Sequence, residues 1–260
     1  SIRKKAFLPF FIIPMDPTKM RTLVIGDIHG GLRALHQIIE RANVTPKDTL
    51  IFLGDYVDGW SQSPQVIDYL IQLKTTNTCI FIRGNHDELL LHWLKDSKDN
   101  LMWYKHGGEA TVNAYHRVND ATKQLHIDFL LSLDDYYLDE KNRLFIHAGF
   151  TNMNGVEHEF YPKLFYWDRT LWETALALDR SILPNDLLYP KRLTLYDEVY
   201  IGHTPVTRIG KTEPMQMACV WNVDTGAAFK GPLTIMDVDT KEFWQSEPLN
   251  HLYFDEKGRN

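Results

Sequence analysis

Cysteine is nearly absent from this chain: Cys79 and Cys219 are the only two among 260 residues, far apart and outside any Cys-x-x-Cys pattern. Their scarcity excludes a disulfide-stapled scaffold and a thiolate-built metal site, and it fits two core thiols in a reducing, cytoplasmic setting. No long basic run occurs, and 28 Lys and Arg against 34 Asp and Glu leave a formal charge of -6, so extended nucleic-acid contact is not expected. No apolar run reaches the length of a bilayer span. Phe7 to Ile13 follows Arg3-Lys4-Lys5 in the manner of a signal peptide, yet it is short, broken by Pro9 and followed by no small-residue cleavage site. A membrane partner is therefore not expected. Met20 directly precedes the first strand-like run, so residues 1–19 read as an N-terminal extension, native or not, ahead of a single domain over 20–260.

Against these absences stand six short polar motifs: Gly26-Asp27-Ile28-His29-Gly30, Gly54-Asp55-Tyr56-Val57-Asp58, Gly84-Asn85-His86-Asp87, His147-Ala148-Gly149, Trp167-Asp168-Arg169 and Gly202-His203-Thr204-Pro205. Five of them directly follow apolar, β-branched runs. Thr22 to Ile25, Leu50 to Leu53 and Cys79 to Ile82 read as buried strands that deliver polar side chains at their carboxyl ends, where α/β sheets place active sites. Asp27 and Asp55 are 28 residues apart and Asp55 and Asn85 are 30 apart, close to the length of a strand-helix-strand unit. Successive strands would bring these side chains together.

Between the motifs, Leu32, Leu35, Ile38 and Ile39 keep helical spacing, as do Val66, Ile67, Leu70, Ile71 and Leu73. A further helix runs on from His86 to Leu94, and Trp103 to Tyr115, with Gly107-Gly108, reads as helical cap material. Tyr136 to Glu140 and Arg143 to His147 form a hairpin turning at Lys141-Asn142. A helix is expected from Arg169 to Leu178, and short strands over 199–201, 220–223 and 233–236. Isolated histidines such as His36, His92, His116 and His126 read as surface residues, and Trp93, Trp103, Trp167, Trp172 and Trp221 as core or groove wall.

Taken in this order, the motifs resemble those of the calcineurin-like metallophosphoesterases, in particular the phosphoprotein phosphatase branch with its bacterial and phage serine/threonine phosphatases. Trp103 to Thr111 and Asn222 to Ala227 are similar to bacterial members as well. The resemblance implies an α/β fold of four layers, a central β-sandwich flanked by helices with a helical cap insertion. It also implies two divalent metal ions, Mn²⁺ first with Fe or Zn²⁺ open. Asp27 and His29 would hold one, Asn85, His147 and His203 the other, and Asp55 would bridge both. The ions would acidify a shared water for in-line attack on phosphorus. His86 would be the general acid, oriented and kept cationic by Asp58.

Arg169 resembles a phosphate-binding arginine of the family, whose planar fork suits two phosphoryl oxygens, and Asn85 would also face the phosphate. One departure stands out: Gly59-Trp60 occupies the place where the family usually continues Arg-Gly, so a second phosphate-clamping arginine is missing. Arg33, Arg208 or Lys211 could substitute. Asp87 stands where many protein phosphatases have Glu. The expected activity is hydrolysis of a phosphoprotein, most of all at serine or threonine; a dinucleoside polyphosphate or another small phosphoester is the rival substrate. A non-enzymatic interaction module is a third reading, and the full donor set argues against it.

Overall fold

A computed structural model of the chain describes residues 20–259; the extension over 1–19, with its apolar stretch, lies outside the described residues. Ten strands follow one another: β1 (Thr22–Ile25), β2 (Thr49–Phe52), β3 (Thr78–Phe81), β4 (Tyr136–Leu138), β5 (Arg143–Ile146), β6 (Glu198–Ile201), β7 (Met215–Met217), β8 (Val220–Asn222), β9 (Thr234–Asp237) and β10 (Phe243–Gln245). They form two five-stranded sheets, ordered β10-β9-β1-β2-β3 and β4-β5-β6-β8-β7. In each, the central strands are parallel: β1 with β2 and β2 with β3, β5 with β6 and β6 with β8.

The strand side chains alternate between two apolar environments, which is why β1, β2, β5 and β6 are apolar past their first residue. Val24, Ile51, Phe145, Tyr200 and Met236 point between the sheets and make one core. Phe145 and Tyr200 stack there at 4.8 Å between ring centroids. The intervening residues Leu23, Ile25, Leu50, Phe52 and Ile235 face the opposite way into a helix-covered core. On the second sheet Leu144, Ile146, Val199 and Ile201 face outward into a third cluster.

The first outer layer comprises α1 (Leu32–Arg41), α2 (Ser63–Leu73), α3 (Asn85–Asp96), α4 (Leu101–Trp103), α5 (Glu109–Tyr115) and α6 (Asp120–Leu131). Against the second sheet lie α7 (Leu164–Trp167) and α8 (Thr170–Ala177), and α9 (Leu249–Leu252) closes beside α1. Helix, sheet, sheet, helix is the four-layer arrangement the sequence implied.

The stretch expected as a cap folds as α4, a kink over 104–108 where His106 and Gly107 leave helical backbone, and α5, which packs on α2. The strands begin and end within a residue or two of the expected runs: Leu53 and Ile82 lie just past β2 and β3. His126 departs from the surface reading. It is fully buried in α6, bonded to the Tyr115 hydroxyl at 2.8 Å and to Asp68 at 2.9 Å.

Candidate active site

The carboxyl ends of β1, β2, β3, β5 and β6 meet at one edge of the sandwich, so both sheets contribute. Asp27 and His29 follow β1, Asp55 and Asp58 follow β2, Asn85 and His86 open α3 after β3, His147 follows β5 and His203 follows β6. All eight side chains are buried. The crowding demands unusual backbone: of nine non-glycine residues with positive φ among the described residues, four are His29, Asp55, Asp58 and His203. A left-handed residue costs roughly 1–2 kcal/mol, and such strain concentrates at functional sites. Gly202 shows how close the approach is, since a Cβ there would lie 2.0 Å from Asp27 Oδ1.

Two donor groups share one carboxylate. Asp27, His29 and Asp55 place ligand atoms within 4.8 Å of one another, and so do Asp55, His147 and His203. Asn85 Oδ1 adds to the second group, 3.2 Å from His147 Nε2 and 3.0 Å from His203 Nδ1. His29 Nδ1 faces the Val57 carbonyl at 3.0 Å and His147 Nδ1 the Leu53 carbonyl at 2.7 Å. A carbonyl only accepts, so each Nδ1 carries its proton and each Nε2 turns a lone pair toward the site. His29 Nε2 then faces Asp55 Oδ2 at 3.6 Å, and His147 Nε2 faces the same oxygen at 3.4 Å.

Lone pairs facing lone pairs repel unless a cation or a proton lies between them. The acid–base behaviour says the same. Burial pushes the Asp27 carboxyl up to about 7. Burial opposes charge on His147, but the Asp55 carboxylate outweighs it and raises the imidazole to about 10. Burial also works against ionised Asp55, yet the His147 and His86 charges hold it well below the ordinary value. Burial lowers His29 to about 4, leaving a neutral donor. Oxygen and imidazole donors without thiolate, around a place that wants positive charge, fit two hard or borderline divalent cations.

His86 stands beside these groups and lines the cavity above them. Its Nδ1 is 2.5 Å from Asp58 Oδ2, and Asp58 also accepts the Trp103 indole N–H at 2.5 Å. The Asp58 backbone N–H is held by Ser63 and Thr111 hydroxyls. Asp87 fixes the loop that carries Asp55: its carboxylate accepts the Asp55, Tyr56 and Gly84 backbone N–H groups, each at 2.8 Å.

The cavity measures about 360 Å³ and is lined by Asp55, Asn85, His86 and His203 below and by three arginines, Arg169, Arg208 and Arg259, at its sides. Asp168 caps the first turn of α8 through the Thr170 and Leu171 N–H groups, which sets Arg169 at the rim. Arg169 donates to the Thr204 hydroxyl at 3.1 Å. Burial lowers its pKa, and the charges of Arg208 and Arg259 lower it further. No carboxylate pairs with any of the three guanidinium groups among the described residues. A larger cavity of about 690 Å³, lined by residues such as Ser61, Gln65, Asn113 and Arg117, contains none of this chemistry, so size does not mark the site.

Of the cations that sequence offered for the missing arginine, Arg208 reaches the cavity. Arg33 does not, being bonded to the Leu252 carbonyl and lying 4.8 Å over the Tyr253 ring. Lys211 does not line it either. Three contributors were missed. Asp87 registered only as a departure from Glu, Trp103 only as wall and cap material without a role at Asp58, and Arg259 not at all, since no local pattern marks a lone arginine in a polar segment.

The fold and this site define a metallophosphoesterase. The profile of the calcineurin-like phosphoesterases matches residues 20–211, and the chain belongs to that family of phosphoric ester hydrolases. Serine/threonine-protein phosphatase 1 of Salmonella typhimurium is 27% identical over 217 residues, covering 82% of this chain and 89% of the relative. A bis(5'-nucleosyl)-tetraphosphatase, PrpE, of Anoxybacillus flavithermus is 27% identical over 251 residues, covering 91% and 97%. Among solved structures, a putative diadenosine tetraphosphatase shares the fold with a TM-score of 0.60 at 18% identity, over 86% of this chain and 92% of that one.

Proposed function

We propose that this chain is a metal-dependent phosphomonoesterase of the serine/threonine protein phosphatase type, using two divalent cations, with Mn²⁺ the best suited. Asp27, His29 and Asp55 would hold one, and Asp55, Asn85, His147 and His203 the other. The observation that carries this reading is the pair of donor groups sharing Asp55 beneath a pocket of acid-free arginines. Bound cations supply Lewis acidity to phosphoryl oxygens and acidify a water nucleophile.

The chain's own residues do the rest. Arg169 and Asn85 orient the phosphoryl group, the arginine through two parallel N–H donors. Asp58 holds the His86 Nδ1 proton, which leaves Nε2 to give its proton to the departing alkoxide. Trp103 secures Asp58 in turn. Unpaired Cys79 and Cys219 suit a cytoplasmic enzyme.

A second reading, cleavage of a dinucleoside polyphosphate, draws support from the third guanidinium: Arg208 lies beyond what one phosphate needs. Turnover of a phosphoserine peptide and of diadenosine tetraphosphate, measured side by side with Mn²⁺, separates the two. Preference for the peptide is expected. Turnover of neither, with metals bound, would sink both.

A further inference from the structure

The departure at Gly59-Trp60 and the cation at Arg259 are two halves of one arrangement. Gly59 adopts φ +100 and offers no side chain, and the stem of Arg259 lies in the space left free: its Cγ is 3.2 Å from where a Gly59 Cβ would stand. The same Cγ is 2.8 Å from the corresponding point at Gly107, which has φ +103 and whose carbonyl accepts the Gly59 N–H at 3.0 Å. Two glycines thus form a trough for the arginine stem. Trp60 provides the platform: its indole stacks on Tyr253 at 5.2 Å, bonds to the Ala227 carbonyl at 2.7 Å and leaves Gly258 room for no side chain. Glu256 ties the segment down through the Ser61 N–H and hydroxyl, and the Arg259 N–H bonds to the Ala228 carbonyl at 2.9 Å.

So anchored, the Arg259 guanidinium carbon lies 5.4 Å over the Phe229 ring and lines the same cavity as Asp55, His86 and Arg169. Its Nε is buried without a hydrogen-bond partner, and it forms no ion pair with any described residue. A half-buried cation whose Nε is shut off from water without a partner, lining the cavity above a metal-binding floor, is built for an anion that arrives with the substrate.

We propose that Arg259 is a substrate-phosphate-binding residue that takes over the task of the arginine missing at position 59, clamping the phosphoryl group together with Arg169. This rests on the phosphoesterase reading above. Gly59 and Trp60 are then adaptations to an arginine delivered from 200 positions further along the chain.

The test is calorimetric binding of inorganic phosphate to the Mn²⁺-loaded protein, alongside steady-state hydrolysis of 4-nitrophenyl phosphate. Arg259→Gln keeps the stem in its trough and removes the charge. It is expected to weaken phosphate binding about 10- to 100-fold, as loss of a charge-assisted hydrogen bond does. Metal content and melting temperature should match the wild type, Arg259→Lys should recover part of the affinity, and added ethylguanidinium should recover part of the lost turnover. Unchanged phosphate affinity in Arg259→Gln overturns the proposal. Equal losses in Gln and Lys variants, accompanied by falling metal content and melting temperature, overturn it too by showing a purely structural role. A wild type that hydrolyses no phosphoester refutes the phosphoesterase reading instead, and phosphate affinity still decides the role of Arg259.

Discussion

Replacing Asp87 with alanine should damage both the fold and the metal site. Its carboxylate accepts three backbone N–H groups at 2.8 Å, from Asp55, Tyr56 and Gly84, and it is 1% exposed. A buried donor left without a partner costs about 1–3 kcal/mol. Water admitted into the vacated space recovers part of that, so a loss of roughly 3–5 kcal/mol is expected. Two of the freed donors belong to the loop on which Asp55 sits at φ +54, a conformation that needs outside support. Divalent-ion content should therefore fall as well. Asp87→Asn retains one acceptor oxygen and should fall between wild type and alanine. Urea denaturation gives the stability and plasma mass spectrometry the metal. If Asp87→Ala unfolds at the wild-type urea concentration with its metal complement intact, the three hydrogen bonds do not hold the loop and the reasoning is wrong.

Other substitutions separate the remaining roles. His86→Asn should lower turnover about 10²- to 10⁴-fold while metal content stays near normal. Asp55→Asn should lose metal, because it weakens the one carboxylate both donor groups share; if the two variants behaved alike in metal analysis, the division of roles fails. Arg21→Ala should cost about 3 kcal/mol in denaturant melts by stranding Asp48, which it clasps with two bonds at 2.9 and 2.7 Å between the starts of β1 and β2. Burial pushes Asp48 up, but the hydrogen bond and charge of Arg21 and the Thr45 hydrogen bonds together outweigh it and hold the carboxyl below its ordinary value. That contribution is therefore present above roughly pH 4 and lost as pH falls through the depressed value. The stability gap between wild type and Asp48→Asn should close in acid; a gap that persists there contradicts the assignment.

Much of this molecule is readable from the chain because its core strands are buried on both faces. Thr22 to Ile25 carries no charged residue for that reason, and the polar group after each such run falls at the sheet edge. The hairpin at Lys141-Asn142 announced itself by turn chemistry, with Asn142 at φ +54. Other features leave weaker traces. The edge strands β7 and β10 have three residues each, too few for a period to register. Helix α6 exposes Leu125 and Leu131, which blurs its amphipathic pattern. Arg259 joins a site whose other polar members all lie at Arg208 or earlier in the chain, and only tertiary packing on Trp60 brings it there.

The central claim is that one carboxylate, Asp55, lies between two cations. Anomalous diffraction at the manganese edge, from crystals grown with Mn²⁺, tests it without reference to any substrate. Two peaks are expected, one among Asp27, His29 and Asp55, the second among Asp55, Asn85, His147 and His203. A single peak, or none within reach of Asp55, contradicts the account.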